Sequence, residues 1–303
     1  MTAAPLPFVD AHIHLWDLAH IRYPWLTPPF ADGPNGNVEA IARNYLTDDY
    51  RADAGKWAVA GAVHIDAGAD ASEALRETEW LEGVADTDAL PTAIVAFASL
   101  DAPDVDRQLT AQAAHRRVRG IRQIVNWHVD PRRSYTPEDL TRDERWQAGF
   151  TALGRHGLSF DLQCYPAQMP GLAPLIERRP DVPVILNHLG MPVLSDPEGV
   201  AQWREGLKAL AAIPHVAIKL SGLGFIDRNW TLDRIRPFLE EAVALFGPDR
   251  CMMASDSPTD TLFAPFDRTM QALYDFSAPF SDDERRDLFG RTANRIYRLG
   301  LSL

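Results

Sequence analysis

The chain has 303 residues, of which 46% are hydrophobic and 24% are charged, and its formal net charge is −12 at pH 7. This composition is typical of a globular protein, and the negative charge predicts that neither nucleic acid nor an anionic membrane surface is a partner. Only Cys164 and Cys251 occur, so we expect no disulfide framework and a reducing compartment.

The N-terminal residues MTAAPLPFVD lack the basic and long apolar regions of a secretory signal. Further along, no apolar run approaches the roughly 18 residues that cross a bilayer. We therefore expect a cytoplasmic protein with no membrane partner.

Short apolar segments recur along the chain at the spacing of βα units, and we predict a strand in each. These segments occupy residues 8–16, 57–67, 91–101, 118–125, 158–165, 182–190, 215–223 and 250–258. Between them lie stretches with helical periodicity, including SEALRETEWLEGVAD, RWQAGFTALGRHG, EGVAQWREGLKALAAI and TLDRIRPFLEEAVALFG. The alternation predicts an α/β protein whose residues 1–303 form a single (β/α)8 TIM barrel, with enlarged βα loops at about 15–50 and 126–144.

The first predicted strand, within FVDAHIHLWD, contains two histidines two positions apart. Because successive side chains alternate across a strand, Asp10, His12 and His14 are expected to share one face, and the apolar residues between them the other.

Polar side chains lie at or near the C-terminal ends of most predicted strands, where a TIM barrel builds its active site. They are His12, His14, His64, Arg122, Gln163, His188, Lys219 and Asp256. The two long loops fall on the same side and carry Tyr23, Trp25, Trp127 and His128, which we interpret as walls of a pocket.

Eight motifs, in order along nearly the whole chain, resemble the amidohydrolase-2 branch of the amidohydrolase superfamily. They are DAHIHLWD, RYPWL, GIR at 120–122, QMP at 168–170, NHLGMP at 187–192, KLSGL at 219–223, SDSP at 255–258 and GRTANRIYRL at 290–299. Within that branch they are most similar to the lactonase group, with its fuconolactonase-like and pyrone-dicarboxylate lactonase-like enzymes. The resemblance implies a TIM-barrel hydrolase that opens a lactone, a sugar 1,4- or 1,5-lactone or one of the muconolactone or pyrone type.

The resemblance also bears on metal binding. Members with metal typically supply HxH from the first strand, Lys or Glu from the fourth, histidines from the fifth and sixth and Asp from the eighth. The matching residues here are His12, His14, His188 and Asp256. Arg122 and Gln163 stand at the fourth and fifth positions, and arginine cannot ligate a metal. A binuclear site is therefore excluded, and the expectation is either no required metal or one divalent ion, zinc, on His12, His14 and Asp256.

Lactone hydrolysis needs an activated water and groups that stabilise the developing oxyanion. We assign Asp256 as the general base, His188 to carbonyl polarisation or to orienting Asp256, and Arg122 to a carbonyl or carboxylate oxygen. The alternatives are a helix-capping role for Asp256, a structural histidine at 188 and an ion pair for Arg122.

The small-molecule substrate is expected to be bound by a further group of side chains, namely His12, His14, Gln163, Lys219, His64, Tyr23 and Trp25. A lactone carrying a carboxylate would need a second cation beside Arg122, such as Lys219, Arg132 or Arg133. A neutral sugar lactone would prefer aromatic and hydrogen-bonding walls.

Two other functions stay open from the sequence. One is a metal-dependent, non-oxidative decarboxylase, which the same branch contains, although Gln163 replaces its usual histidine ligand. The other is a non-catalytic barrel that binds a small ligand.

Overall fold

The fold is that of a computed structural model, which describes residues 6–30 and 33–303. Eight parallel strands form one sheet in which each strand lies beside the next in sequence. They are β1 Phe8–Ile13, β2 Val59–Ile65, β3 Ala93–Phe97, β4 Val118–Arg122, β5 Ser159–Leu162, β6 Val184–Leu186, β7 Val216–Leu220 and β8 Cys251–Met253. The sheet closes on itself after β8, where the amide of His14 donates to the carbonyl oxygen of Ser257 at 2.8 Å and that of Asp256 to His12 at 2.9 Å.

At least one helix follows every strand. The helices are α1 Thr47–Ala54, α2 Ala74–Asp88, α3 Val105–Ala113, α4 Glu144–Ala152, α5 Met169–Glu177, α6 Gly199–Ala211, α7 Leu223–Ile226, α8 Leu232–Phe246, α9 Phe266–Phe276, α10 Asp282–Arg286 and α11 Thr292–Ile296. Helix α8 is representative, because its buried residues Ile235, Leu239, Ala242, Val243 and Phe246 recur at helical spacing. Within the described part of the chain, no helix is both long and apolar enough to cross a membrane.

The predicted (β/α)8 barrel is confirmed, and each of the eight predicted segments contains one strand. The strands are shorter than the segments, and in four of them the chain leaves the sheet before the polar residue at the C-terminal end, namely before His14, Gln163, His188 and Asp256. In the last segment, for example, β8 ends at Met253, three residues before Asp256. The four helical stretches named from sequence correspond to α2, α4, α6 and α8.

Two apolar layers flank the strands. The inner layer fills the barrel with small and branched residues, including Val9, Ala11, Val95, Ile185 and Ala217. The outer layer packs the strands against the helices. Inside the barrel, on the same side of the sheet as the inner layer, Lys219 and Asp161 form a fully buried ion pair with Nζ and Oδ1 2.5 Å apart.

Candidate active site

The C-terminal ends of the strands form the floor of a cavity of about 420 Å³, within the range of small-molecule sites. Six of the residues predicted from sequence line it, namely His14, Trp25, Arg122, Gln163, His188 and Asp256. The floor side chains are buried, with Asp256 and His188 only 1% and 2% exposed. The structure therefore brings together polar groups from β1, β4, β5, β6 and β8.

Three donor atoms meet at the centre of the floor. Nε2 of His12 and Nε2 of His14 lie 3.2 Å apart, and they are 3.3 and 3.4 Å from Oδ1 of Asp256. Donors on a tetrahedral ion with bonds of about 2.0 Å are separated by roughly 3.3 Å, so these three atoms fit three corners of such a site. Neither oxygen of Asp256 has a hydrogen-bond partner among the described residues. An unpaired carboxylate between two imidazole nitrogens fits a divalent metal ion, and His12, His14 and Asp256 are the residues that could hold it.

Burial determines the protonation states of the side chains on the floor. Burial lowers the pKa of His14 to about 3 and holds the pKa values of His12 and His188 well below 6.5, so all three imidazoles are neutral at neutral pH. Burial also raises the pKa of Asp256 well above 3.8, which the positive charges of Arg122 and Lys219 partly oppose. Neutral imidazoles can ligate a metal or form hydrogen bonds, and a carboxylate with a raised pKa is a stronger base.

An irregularity in β1 puts the two histidines on the same side of the strand as Val9 and Ala11. The pairing of β1 with β2 shifts register between Asp10 and Ile13, and Val9 and Ala11 already face the barrel interior. His12 and His14 meet as expected, but the prediction that Asp10 shares their face is wrong. The carboxylate of Asp10 instead accepts hydrogen bonds from the amide of Ser255 at 2.9 Å and the hydroxyl of Tyr50 at 3.0 Å. Asp10 thereby braces the segment that follows β8.

Two floor residues, Asp256 and His188, have an unusual backbone conformation. Asp256 and His188 both have positive φ, at 55° and 52°, a region that non-glycine residues rarely occupy. The ring of His188 lies against Gly222, and its Nδ1 is 3.1 Å from Oγ of Ser221 and 4.0 Å from Oδ2 of Asp256. Residues of the KLSGL motif thus hold a histidine from the preceding unit of the barrel.

Arg122 is held at the floor by residues that follow β2 and β5. Its guanidinium donates to the backbone oxygen of Asp66 and to Oε1 of Gln163 at 3.0 Å, and Nε lies 3.4 Å from the carboxylate of Asp66. Five N–H donors are available to an arginine, so these contacts leave donors that can face the cavity. Gln163 therefore has two roles, because it lines the cavity and accepts a hydrogen bond from Arg122.

Four residues predicted to bind substrate do not line the cavity: His12, His64, Lys219 and Tyr23. Lys219 lies below the floor, bonded to Asp161 and 3.3 Å from Nδ1 of His12. His64 is fully buried, and its Nδ1 accepts the amide of Leu15 at 3.1 Å. The positions of Lys219 and His64 suit them to support the floor rather than to contact a ligand.

The wall of the cavity comes from the loops, and here sequence analysis found only Trp25. Tyr23 is buried behind the wall. His128 does not line the cavity, and its Nε2 lies 3.0 Å from the carboxylate of Asp196. The lining residues that the sequence analysis missed include Phe30, Val38, Ile124, Tyr135 and Phe225. The only available signal was their position shortly after a strand end or in a long loop, because apolar residues there look like ordinary core.

Comparison with known proteins places the chain among enzymes. The family model described as amidohydrolase matches residues 9–299. An uncharacterized protein of Sinorhizobium fredii, y4mH, is 42% identical, over 97% of this chain and 99% of its own length. An L-fucono-1,5-lactonase of Burkholderia multivorans is 28% identical, over 96% of each chain. A crystal structure of an amidohydrolase from Burkholderia multivorans with bound zinc, also 28% identical, superposes with a TM-score of 0.79 over 96% of this chain and 99% of that one.

Proposed function

Since this chain belongs to the amidohydrolase family, we propose that it hydrolyses a lactone, with Asp256 as the general base for attack of water on the ring carbonyl. The observation that carries this proposal is the buried carboxylate of Asp256, which lines the cavity between neutral imidazoles and has no hydrogen-bond partner among the described residues. The similarity to an L-fucono-1,5-lactonase supports a cyclic ester as the substrate.

Asp256 takes a proton from water as the water oxygen forms a bond to the carbonyl carbon. The raised pKa of Asp256, caused by burial, strengthens it as a base. When the ring C–O bond breaks, the protonated carboxyl returns the proton to the leaving alkoxide, so the product is a hydroxy acid. One residue therefore serves both proton transfers.

The oxyanion that forms during attack needs donors that are already in place. Arg122 supplies them, because its contacts with Asp66 and Gln163 fix the guanidinium and leave N–H groups for the substrate. His188 is neutral, and its position 4.0 Å from Asp256 suits it to orient that carboxylate or to donate to the carbonyl oxygen.

A single divalent ion, zinc in this proposal, would be held by His12, His14 and Asp256, whose donor types suit it. When bound, such an ion would polarise the carbonyl and lower the pKa of water. The resemblance to metal-binding members puts the ligands of a second ion at the positions of Arg122 and Gln163, which here are hydrogen-bonded to each other.

The test is a pH-indicator assay of purified protein against aldonolactones, dicarboxylate lactones and alkyl lactones, with chelator or added zinc in parallel. Asp256→Asn should lower kcat by about 10²–10⁴-fold. Asp48→Asn makes the same chemical change at a side chain that is 99% exposed and should match the parent. Circular dichroism checks that both variants fold.

The outcomes separate the parts of the proposal. Parent-like turnover by Asp256→Asn would show that another group is the base. Release of carbon dioxide from aromatic carboxylates, with no acid release from any lactone, would identify a decarboxylase instead. Zinc affinity, measured by calorimetry on the parent and on His14→Gln, tests the metal donors without reference to turnover.

A further inference from the structure

The cavity combines a polar floor with an apolar wall. Above the floor, the wall consists mainly of Trp25, Phe30, Pro34, Val38, Ile124 and Phe225. We propose that the substrate is a lactone with an apolar substituent, alkyl or aryl, which packs on this wall while the ring lies on the floor. The proposal rests on the lactone hydrolase function and narrows it to a class of substrate.

Three of the polar side chains on the wall already donate hydrogen bonds within the protein. Nε1 of Trp25 donates to the carbonyl oxygen of Ala67 at 2.8 Å, so the indole presents carbon atoms to the cavity. The hydroxyl of Tyr135 donates to Asn35, and that of Thr27 donates to the carbonyl oxygen of Tyr23 at 2.8 Å. The wall therefore offers few groups that could replace water around a substrate hydroxyl.

This matters for sugar lactones, whose ring carries several hydroxyl groups. The amide nitrogen of Asn35 and the hydroxyl of Thr259 are the principal polar groups left among the described wall residues. Each buried hydroxyl without a partner lowers affinity by roughly tenfold. An apolar substituent has no such cost and gains from leaving water.

Charge argues against dicarboxylate lactones in the same way. Among the described lining residues, Arg122 is the one lysine or arginine, and it belongs to the reaction centre. The other candidate cations, Arg132 and Arg133, lie outside this cavity, paired with Asp130 and Asp196. A second substrate carboxylate bound within this cavity would thus have no other lysine or arginine among the described lining residues.

The experiment measures kcat/KM for δ-lactones whose side chain lengthens from methyl to hexyl, beside an aldonolactone and a dicarboxylate lactone. We expect kcat/KM to rise by roughly fourfold per methylene until the wall is covered. Ile124→Thr should reduce this rise, because it places a hydroxyl on the wall. Val129→Thr makes a similar change at a residue that is 79% exposed and outside the cavity, and should leave the series unchanged.

Binding is measured separately by calorimetry with alkyl-substituted cyclohexanones, which have the ring carbonyl but cannot be hydrolysed. Affinity that rises with the length of the alkyl chain supports the apolar subsite even if no lactone is opened. Failure to open any lactone would refute only the proposed function. Faster hydrolysis of the aldonolactone or the dicarboxylate, or a flat alkyl series in both measurements, would overturn this inference and leave lactone hydrolysis standing.

Discussion

The contact between Gly222 and His188 gives a sharp test of the site. Gly222 has φ +66°, and a Cβ added there would lie 2.6 Å from Cβ and 2.7 Å from Nδ1 of His188, where ordinary contacts begin at 3.4 Å. In Gly222→Ala the side chain of His188 must therefore move by about 0.7–0.8 Å, and a misplacement of about 1 Å near reacting groups costs roughly 10²-fold in rate. The left-handed backbone adds a loss of about 1–2 kcal/mol in stability for alanine.

Gly157→Ala is the matched control, because Gly157 has φ +64° and no atom within 4 Å of an added Cβ. Both variants should lose stability in urea unfolding through the left-handed backbone, Gly222→Ala more because of its contact with His188, but only Gly222→Ala should lose kcat/KM with the preferred lactone. Because His188 is not one of the three metal donors, zinc affinity should change little in either. If Gly222→Ala keeps the parent kcat/KM, the placement of His188 does not matter for catalysis and the argument from this contact fails.

Three further outcomes follow from the buried groups. Because a general base must be ionised, kcat/KM should fall as the pH drops through the raised pKa of Asp256, with a midpoint above 3.8; a midpoint at the ordinary aspartate value would contradict this in a pH–rate profile. Lys219→Met should destabilise the fold by about 3–5 kcal/mol in urea unfolding, since it leaves the buried carboxylate of Asp161 without a cation and with only the hydroxyl of Tyr297 as a donor, and adding Asp161→Leu should restore part of the lost stability. Ser221→Ala should lower kcat about fivefold by removing the partner of His188 Nδ1, with little change in Tm, and equal kcat would count against that hydrogen bond.

Much of the floor of the site was predictable because a TIM barrel fixes where strands end. Once the eight apolar segments were recognised, His14, Arg122, Gln163, His188 and Asp256 had to approach one another at one end of the barrel. Their chemistry then follows from residue type. The floor could be predicted because it depends on the topology of the barrel, in which the same βα unit repeats along the chain.

What the sequence did not predict depends on local geometry. The alternation of side chains failed at Asp10 because a register shift interrupts β1, and no residue in FVDAHIHLWD indicates that shift. Lys219 was expected at the mouth of the barrel, but it lies one layer deeper, and depth depends on how neighbouring strands are staggered. Ile124 and Phe225 were missed because exposure to a cavity cannot be distinguished from burial in a core by hydrophobicity alone.

The floor and the wall of the cavity belong to different parts of the architecture. Asp256 and His14 sit where backbone hydrogen bonds close the barrel, so a change there disturbs the fold as well as the reaction. Phe30, Val38 and Phe225 belong to loop or short helical segments outside the sheet. Mutation can therefore alter which substrate fits while the reacting groups stay in register, which lets descendants of one enzyme keep a reaction and acquire new substrates.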